Sequence, residues 1–212
     1  LLPAGELVRE QAAGLGRQAH RGEQRVDLCL ERRVAAEMRE FELTTVFDPD
    51  AVTAEGVAAV IGALKANFDW VICDSPAGIE RGATLAMRHA DIAVVVTNPE
   101  VSSVRDSDRI IGLLDSKTER AERGERIEKH LLLTRYDTIR AERGDMLKVE
   151  DVLEILSIPL LGIIPESAEV LRASNLGTPV TLSDANSAPA RAYMDAARRL
   201  NGDAVPMIVP TD

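Results

Sequence analysis

Two cysteines, Cys29 and Cys73, are all that the 212 residues contain, and long apolar runs are equally scarce. So few thiols build neither a disulfide framework nor a metal-ligand cluster, and they fit a reducing cytoplasm. His20, His89 and His130 fall in no metal-ligand spacing with cysteines or paired carboxylates, so each reads as structural. No stretch approaches the roughly 18 apolar residues of a membrane-spanning helix, and no basic segment followed by an apolar one marks export. G-x-S-x-G, a Ser-His-Asp arrangement and G-x-G-x-x-G are missing, which leaves hydrolase-elbow and dehydrogenase chemistry without support. Absent too is G-x-x-x-x-G-K-[ST], whose backbone amides and lysine supply most of the grip on nucleotide phosphates. Basic residues number 25 against 35 acidic ones, a net charge of −10 with pI near 4.9, which argues against a general affinity for nucleic acid.

What the chain does contain is a hydrophobic fraction of 45%, enough for the core of one domain. From residue 53 onward, helical periodicity alternates with short β-branched runs, which reads as consecutive βαβ units. Helices are expected over 53–67, 82–89, 101–123, 146–156, 168–175 and 188–200, and strands over 70–74, 92–97, 130–134 and 160–164. The strands are apolar on both faces, as a parallel sheet covered by helices on both sides requires. The expected fold class is α/β: a parallel sheet flanked by helices, in three α/β/α layers, with residues 48–202 as the core. Residues 1–47 stand apart, crowded with Arg, Glu, Gln, Ala and Gly and without a clear strand pattern. They read either as a frameshifted segment or as a divergent extension forming a loose helix. Residues 203–212 form a short tail.

The most informative run is Phe68-Asp69-Trp70-Val71-Ile72-Cys73-Asp74-Ser75-Pro76-Ala77-Gly78. An apolar strand here delivers one carboxylate to its carboxyl end, followed by a Pro-Ala-Gly turn, the way P-loop NTPases place a Mg2+-linked acid. A glycine at the turn lets the backbone approach a terminal phosphate. The competing reading is a strand-end Asp that only forms a turn. Arg135, after Thr134, lies at the carboxyl end of a later expected strand, where open α/β sheets bind ligands, and Pro165 and Glu166 end the next one. Ordinary strand-to-helix turn chemistry is the alternative there. Arg105, Asp106, Asp108 and Arg109 crowd the helix that opens at Val101, and 117–126 alternates in charge as a solvated surface does.

Taken in order, Asp74-Ser75-Pro76-Ala77-Gly78-Ile79-Glu80, Thr97-Asn98-Pro99-Glu100-Val101-Ser102-Ser103-Val104-Arg105-Asp106-Ser107-Asp108-Arg109, His130 to Tyr136, Gly162-Ile163-Ile164-Pro165-Glu166 and Val170 to Asn175 resemble the MinD family of bacterial septum-site ATPases. The resemblance runs from about residue 50 to about residue 200 and implies a P-loop NTPase-like fold, incomplete at its N-terminal side. It implies ATP and Mg2+ as cofactors. Asp74 would be the catalytic residue of the second switch, near the magnesium water and the path of the attacking water, and would meet the metal only through water. Pro76, Ala77 and Gly78 would shape that switch, and Arg135, Pro165 and Glu166 would form the adenine pocket. Ser103, Asp106 and Asp108 would contact MinC-like and MinE-like partners on a helix bordering a homodimer interface.

The implied function is placement of the division septum by an ATP-dependent dimer that recruits a division inhibitor to the membrane. The family sits as a peripheral protein on the inner face of the cell membrane through a C-terminal amphipathic helix. The tail from Val205 to Asp212 contains no such helix, so this chain is expected to be cytoplasmic and unanchored. Lacking the phosphate loop as well, it is expected neither to bind ATP tightly nor to hydrolyse it. The alternatives are a catalytically dead partner-binding module of the same fold, a ParA-like partition ATPase fragment, or a fragment too incomplete to fold. The acidic balance and the 101–109 motif favour the septum branch.

Overall fold

The computed structural model describes residues 26–30, 39–43, 53–75 and 81–210, the first two segments by backbone only. Two compact units emerge, residues 1–90 with 117–119, and residues 91–116 with 120–212.

In the first unit, β1 (Val26–Leu30) lies between β2 (Arg39–Leu43) and β3 (Ile72–Cys73) and is antiparallel to both. The expectation of no strand before residue 47 is therefore corrected. Val-Asp-Leu-Cys-Leu and Arg-Glu-Phe-Glu-Leu each carry a period-two alternation, which five residues set among Arg and Glu are too short to reveal. The expected strand 70–74 shrinks to two residues, and it joins β1 instead of a parallel neighbour. Helix α1 (Ala54–Lys65) begins where the Thr53 hydroxyl accepts from the Gly56 amide at 3.1 Å, and it buries Ile61 and Leu64 three residues apart. Helix α2 (Arg81–Arg88) buries Ala83 and leads to His89, whose Nδ1 lies 3.0 Å from Glu119 Oε1.

The second unit carries the expected parallel sheet. Strands β4 (Ile92–Thr97), β5 (Glu128–Tyr136) and β6 (Leu160–Pro165) lie side by side in chain order. Leu131 and Leu133 of β5 are wholly buried, each worth roughly 1.5–3 kcal/mol relative to exposure. Helix α3 (Val101–Lys117) buries Val104, Ser107, Ile111 and Leu114, one stripe at helical spacing, while α4 (Glu119–Glu122) follows the buried Thr118. The single helix expected over 101–123 is thus broken at Thr118.

Helix α5 (Thr138–Arg143) lies where the sequence pattern predicts no helix. Asp137 caps it by accepting from the Arg140 amide at 2.9 Å, and Gly144, at φ 80°, ends it in the left-handed conformation glycine favours. Helix α6 (Val149–Leu156) starts three residues later than expected, because the Lys148 amide donates to Asp151 at its start and Leu147 bonds back to the Pro99 carbonyl. Helix α7 (Ala168–Asn175), the short α8 (Val180–Ser183) and α9 (Ala188–Leu200) complete the unit. Helix α9 packs on β6, and a Cβ at Gly162 would meet Ala196 Cβ at 3.0 Å and Leu132 Cδ1 at 3.2 Å. Glycine is what lets this helix approach the strand so closely. That approach carries Arg199 onto the Leu161 carbonyl at 2.8 Å and the Val205 carbonyl at 2.9 Å, while the Thr138 hydroxyl holds the Pro210 carbonyl at 2.9 Å. Among the described residues, no helix is long and apolar enough to cross a membrane.

Candidate functional site

The carboxyl ends of β5 and β6 bring three of the expected site residues together. Between the pairs Leu133–Ile163 and Tyr136–Pro165, β5 holds Thr134 and Arg135 against Ile164 alone, a β-bulge. Arg135 adopts φ 56°, in the left-handed region that side-chain-bearing residues rarely occupy. Its guanidinium donates to Glu166 Oε1 at 3.2 Å, and Arg140 on α5 reaches the other oxygen, Oε2, at 3.5 Å. The Glu166 amide donates to the Tyr136 carbonyl at 2.9 Å, so the turn after β6 is tied to β5 by backbone as well. With side chains 66%, 41% and 39% exposed, Arg135, Arg140 and Glu166 form a surface ion-pair cluster. Each pair in it is worth about 0–1 kcal/mol, so its role is orientation more than stability.

Beside this cluster, a cavity of about 460 Å3 is lined by Pro165, Glu166, Ser167, Glu169, Asp184 and Ser187, among others. Ser167 and Ser187 cap α7 and α9, so two helix starts border it. The Ser167 hydroxyl bonds the Glu169 carboxylate, which holds that carboxyl below the usual range. Glu166, already paired with Arg135 and Arg140, lines the cavity together with Glu169 and Asp184, so its wall offers carboxylate acceptors to groups bearing N–H donors.

Asp74 follows β3 directly and is exposed. The thiol before it, Cys73, is pushed up by burial, with Lys65 partly offsetting the effect. Pro76, Ala77 and Gly78 lie outside the described residues. No group of three or more His, Cys, Asp or Glu side chains among the described residues is placed to hold a metal ion. On α3, Asp106 and Asp108 are exposed and Ser103 is half-buried. At 100° per residue, Ser103 and Asp106 share one flank while Asp108 lies on the other, with Arg105 and Arg109 between them. Asp106 pairs with Arg109 at 3.5 Å. Sequence reasoning assigned no role to Arg140 or Thr134. The Asp137 cap three residues before Arg140 was the available signal for the first, and nothing in the pattern marks the second.

The family described as ATPase MipZ matches residues 16–146, more than half of the chain. MinD, the septum site-determining protein of Escherichia coli, is 60% identical over 161 residues, 75% of this chain and 59% of that relative. The chain belongs to the MinD/MipZ family of ATPases. Among solved structures of this family, Aquifex aeolicus MinD is 38% identical with a TM-score of 0.67, covering 76% of this chain and 65% of that one. The MinC:MinD complex of Aquifex aeolicus matches equally, at 38% identity and a TM-score of 0.67, over 74% of this chain and 63% of that one. The chain thus spans about three fifths of the length of the curated MinD relatives. The MipZ match begins inside the segment that the sequence sets apart as 1–47.

Proposed function

We propose that the chain carries the base-binding and partner-docking part of a MinD-type ATPase of division-site placement. The intact protein would dimerise with ATP and Mg2+ and recruit a division inhibitor to the membrane. The observation that carries this reading is the Arg135–Glu166 pair, set at the carboxyl ends of two adjacent parallel strands beside a cavity suited to a base. Arg135, Pro165 and Glu166 would frame the adenine, Pro76, Ala77 and Gly78 would turn backbone amides toward the terminal phosphate, and Asp74 would hold Mg2+ through a water. Bound ATP supplies the phosphoanhydride to be cleaved, and Mg2+ neutralises charge on its phosphates. Residues 48–202 would form the NTPase core, with 1–47 separate and 203–212 a tail. The base side fits the nucleotide, whereas no phosphate loop occurs in the 212 residues. By itself, therefore, this chain neither binds ATP tightly nor hydrolyses it.

Ser103, Asp106 and Asp108 would contact MinC-like and MinE-like partners, and nucleic acid is not a partner in this reading. Membrane attachment would be peripheral, through a C-terminal amphipathic helix. A second reading, partner binding free of nucleotide control, is favoured by one observation: α3 is formed with Asp106 and Asp108 exposed although the phosphate loop is missing. Binding of the chain to purified MinC, measured with and without MgATP and repeated with Asp106→Ala and Asp108→Ala, separates the two. Equal binding in both conditions supports the module, and binding only with MgATP supports retained nucleotide control. Binding that ignores both substitutions removes α3 from the interface.

A further inference from the structure

We infer that the bulged pair Thr134–Arg135 is a positioning device joining the base side of the site to the first turn of α3, an inference that rests on the roles proposed above for Arg135 and α3. The two residues oppose Ile164 alone, and they reach in different directions. Arg135 grips Glu166 in the turn after β6. The Thr134 hydroxyl donates to Asn98 Oδ1, in the turn after β4, at 2.9 Å and lies 3.3 Å from the carbonyl of Thr97, the last residue of β4.

That second turn opens α3: the Glu100 amide bonds the Asn98 carbonyl at 2.8 Å, and the Val104 amide bonds the Glu100 carbonyl at 2.9 Å. Pro99 is buried and its carbonyl accepts from the Leu147 amide at 3.0 Å, so the turn is braced on its far side and rests on Thr134 on its near side. A bulge leaves its extra residue unpaired and locally disrupts the ladder, so its two residues can turn to different neighbours. Arg135 is held at φ 56° against its own preference, which gives this element a stored tendency to rearrange. A ligand that loosens or tightens the Arg135–Glu166 pair therefore acts on the same two residues whose other member holds Asn98. Ser103 sits in the first turn of α3 and Asp106 in the second. Thr134 is a positioning residue, touching neither ligand.

Site-resolved hydrogen exchange of the 212-residue chain tests this without nucleotide or partner, so a failure here is separate from a failure of the proposed function. Thr134→Val should speed exchange at the Glu100 and Val104 amides roughly three- to tenfold, the worth of one hydrogen bond. The Leu131 amide, bonded to the Pro159 carbonyl in the core, should not change, and Thr134→Ser should restore slow exchange at α3. Arg135→Ala should speed the same two amides when Thr134 is present and add nothing in the Thr134→Val background. Unchanged exchange at Glu100 and Val104 in Thr134→Val overturns the inference, and so does an Arg135→Ala effect that persists without the Thr134 hydroxyl. Should Thr134→Val also release Leu131, Asn98→Ala replaces it, with the same two outcomes read at Glu100 and Val104.

Discussion

Replacing Arg135 by Gly, Ala and Val separates its backbone from its side chain. A side-chain-bearing residue at φ 56° carries about 1–2 kcal/mol of left-handed strain. Arg135→Gly removes that strain, adds roughly 0.5–1 kcal/mol of chain entropy to be lost on folding, and gives up exposed ion pairs worth about 0–1 kcal/mol. The terms nearly cancel, so this variant should unfold within about 1 kcal/mol of the parent. Arg135→Ala keeps the strain and loses the pairs, a deficit of about 0–1 kcal/mol. Arg135→Val places a β-branched side chain in the left-handed region and should fall about 1–3 kcal/mol below the glycine variant. At 2–4 °C per kcal/mol for chains of this size, that gap is roughly 2–12 °C in Tm. Urea and thermal unfolding followed by far-ultraviolet circular dichroism read the series, and adenosine binding read alongside should be lost in all three. Equal midpoints for the Gly and Val variants would show that Arg135 is unstrained and would refute the reasoning.

Three further outcomes are expected. Gly162→Ala should overpack β6 against Ala196 and cost about 1–3 kcal/mol in urea unfolding, and an unchanged midpoint would mean that α9 simply moves away. Glu169 is held below its ordinary pKa chiefly by the Ser167 hydroxyl, so the stability this adds is present above the unfolded carboxylate's pKa and is lost as pH falls through the lowered value. The Tm gap between parent and Ser167→Ala should therefore narrow from pH 7 toward pH 3, while a constant gap would assign the whole effect to helix capping. MgATP turnover by the 212-residue chain should be undetectable in a phosphate-release assay, and turnover that vanishes on Asp74→Ala would overturn that expectation.

Where an element is long enough to complete its period, its residues announce it. Strand β4 is apolar from Ile92 to Val96, between Asp91 and Thr97-Asn98-Pro99, and it occupies the expected 92–97. Helices α7 and α9 follow Ser167 and Ser187, whose hydroxyls take the first free amides, and both begin and end where the spacing predicts. Helices α5 and α8, of six and four residues, have no room for a second apolar repeat. The bulge leaves no trace in residue types either. An extra residue in a strand changes register without changing hydrophobicity, and the left-handed position is filled by Arg135 where glycine would have been the visible sign. Arg135 and Glu166 could be placed at strand ends from the pattern alone, but their pairing and the part of Arg140 depend on how β5, β6 and α5 meet.

The acidic cavity gives the missing phosphate loop more weight. Glu166, Glu169 and Asp184 line the space beside the expected adenine contacts. A phosphate charge about 8 Å from one carboxylate is disfavoured by roughly 0.5 kcal/mol at the dielectric of water and by roughly 2 kcal/mol at that of a protein surface. Glu169 and Asp184 work against the part of ATP that carries the charge, Glu166 being paired with Arg135 and Arg140, whereas a base gains acceptors for its amino group. Selectivity for a base and affinity for a nucleotide are therefore separate properties in this fold. In the reading proposed above, the first would reside in the turns after β5 and β6. The second must come from lysines and backbone amides near the phosphates, which the 212 residues do not supply. Adenosine should accordingly bind this chain at least as well as ATP does, the reverse of the order expected wherever a phosphate loop is present.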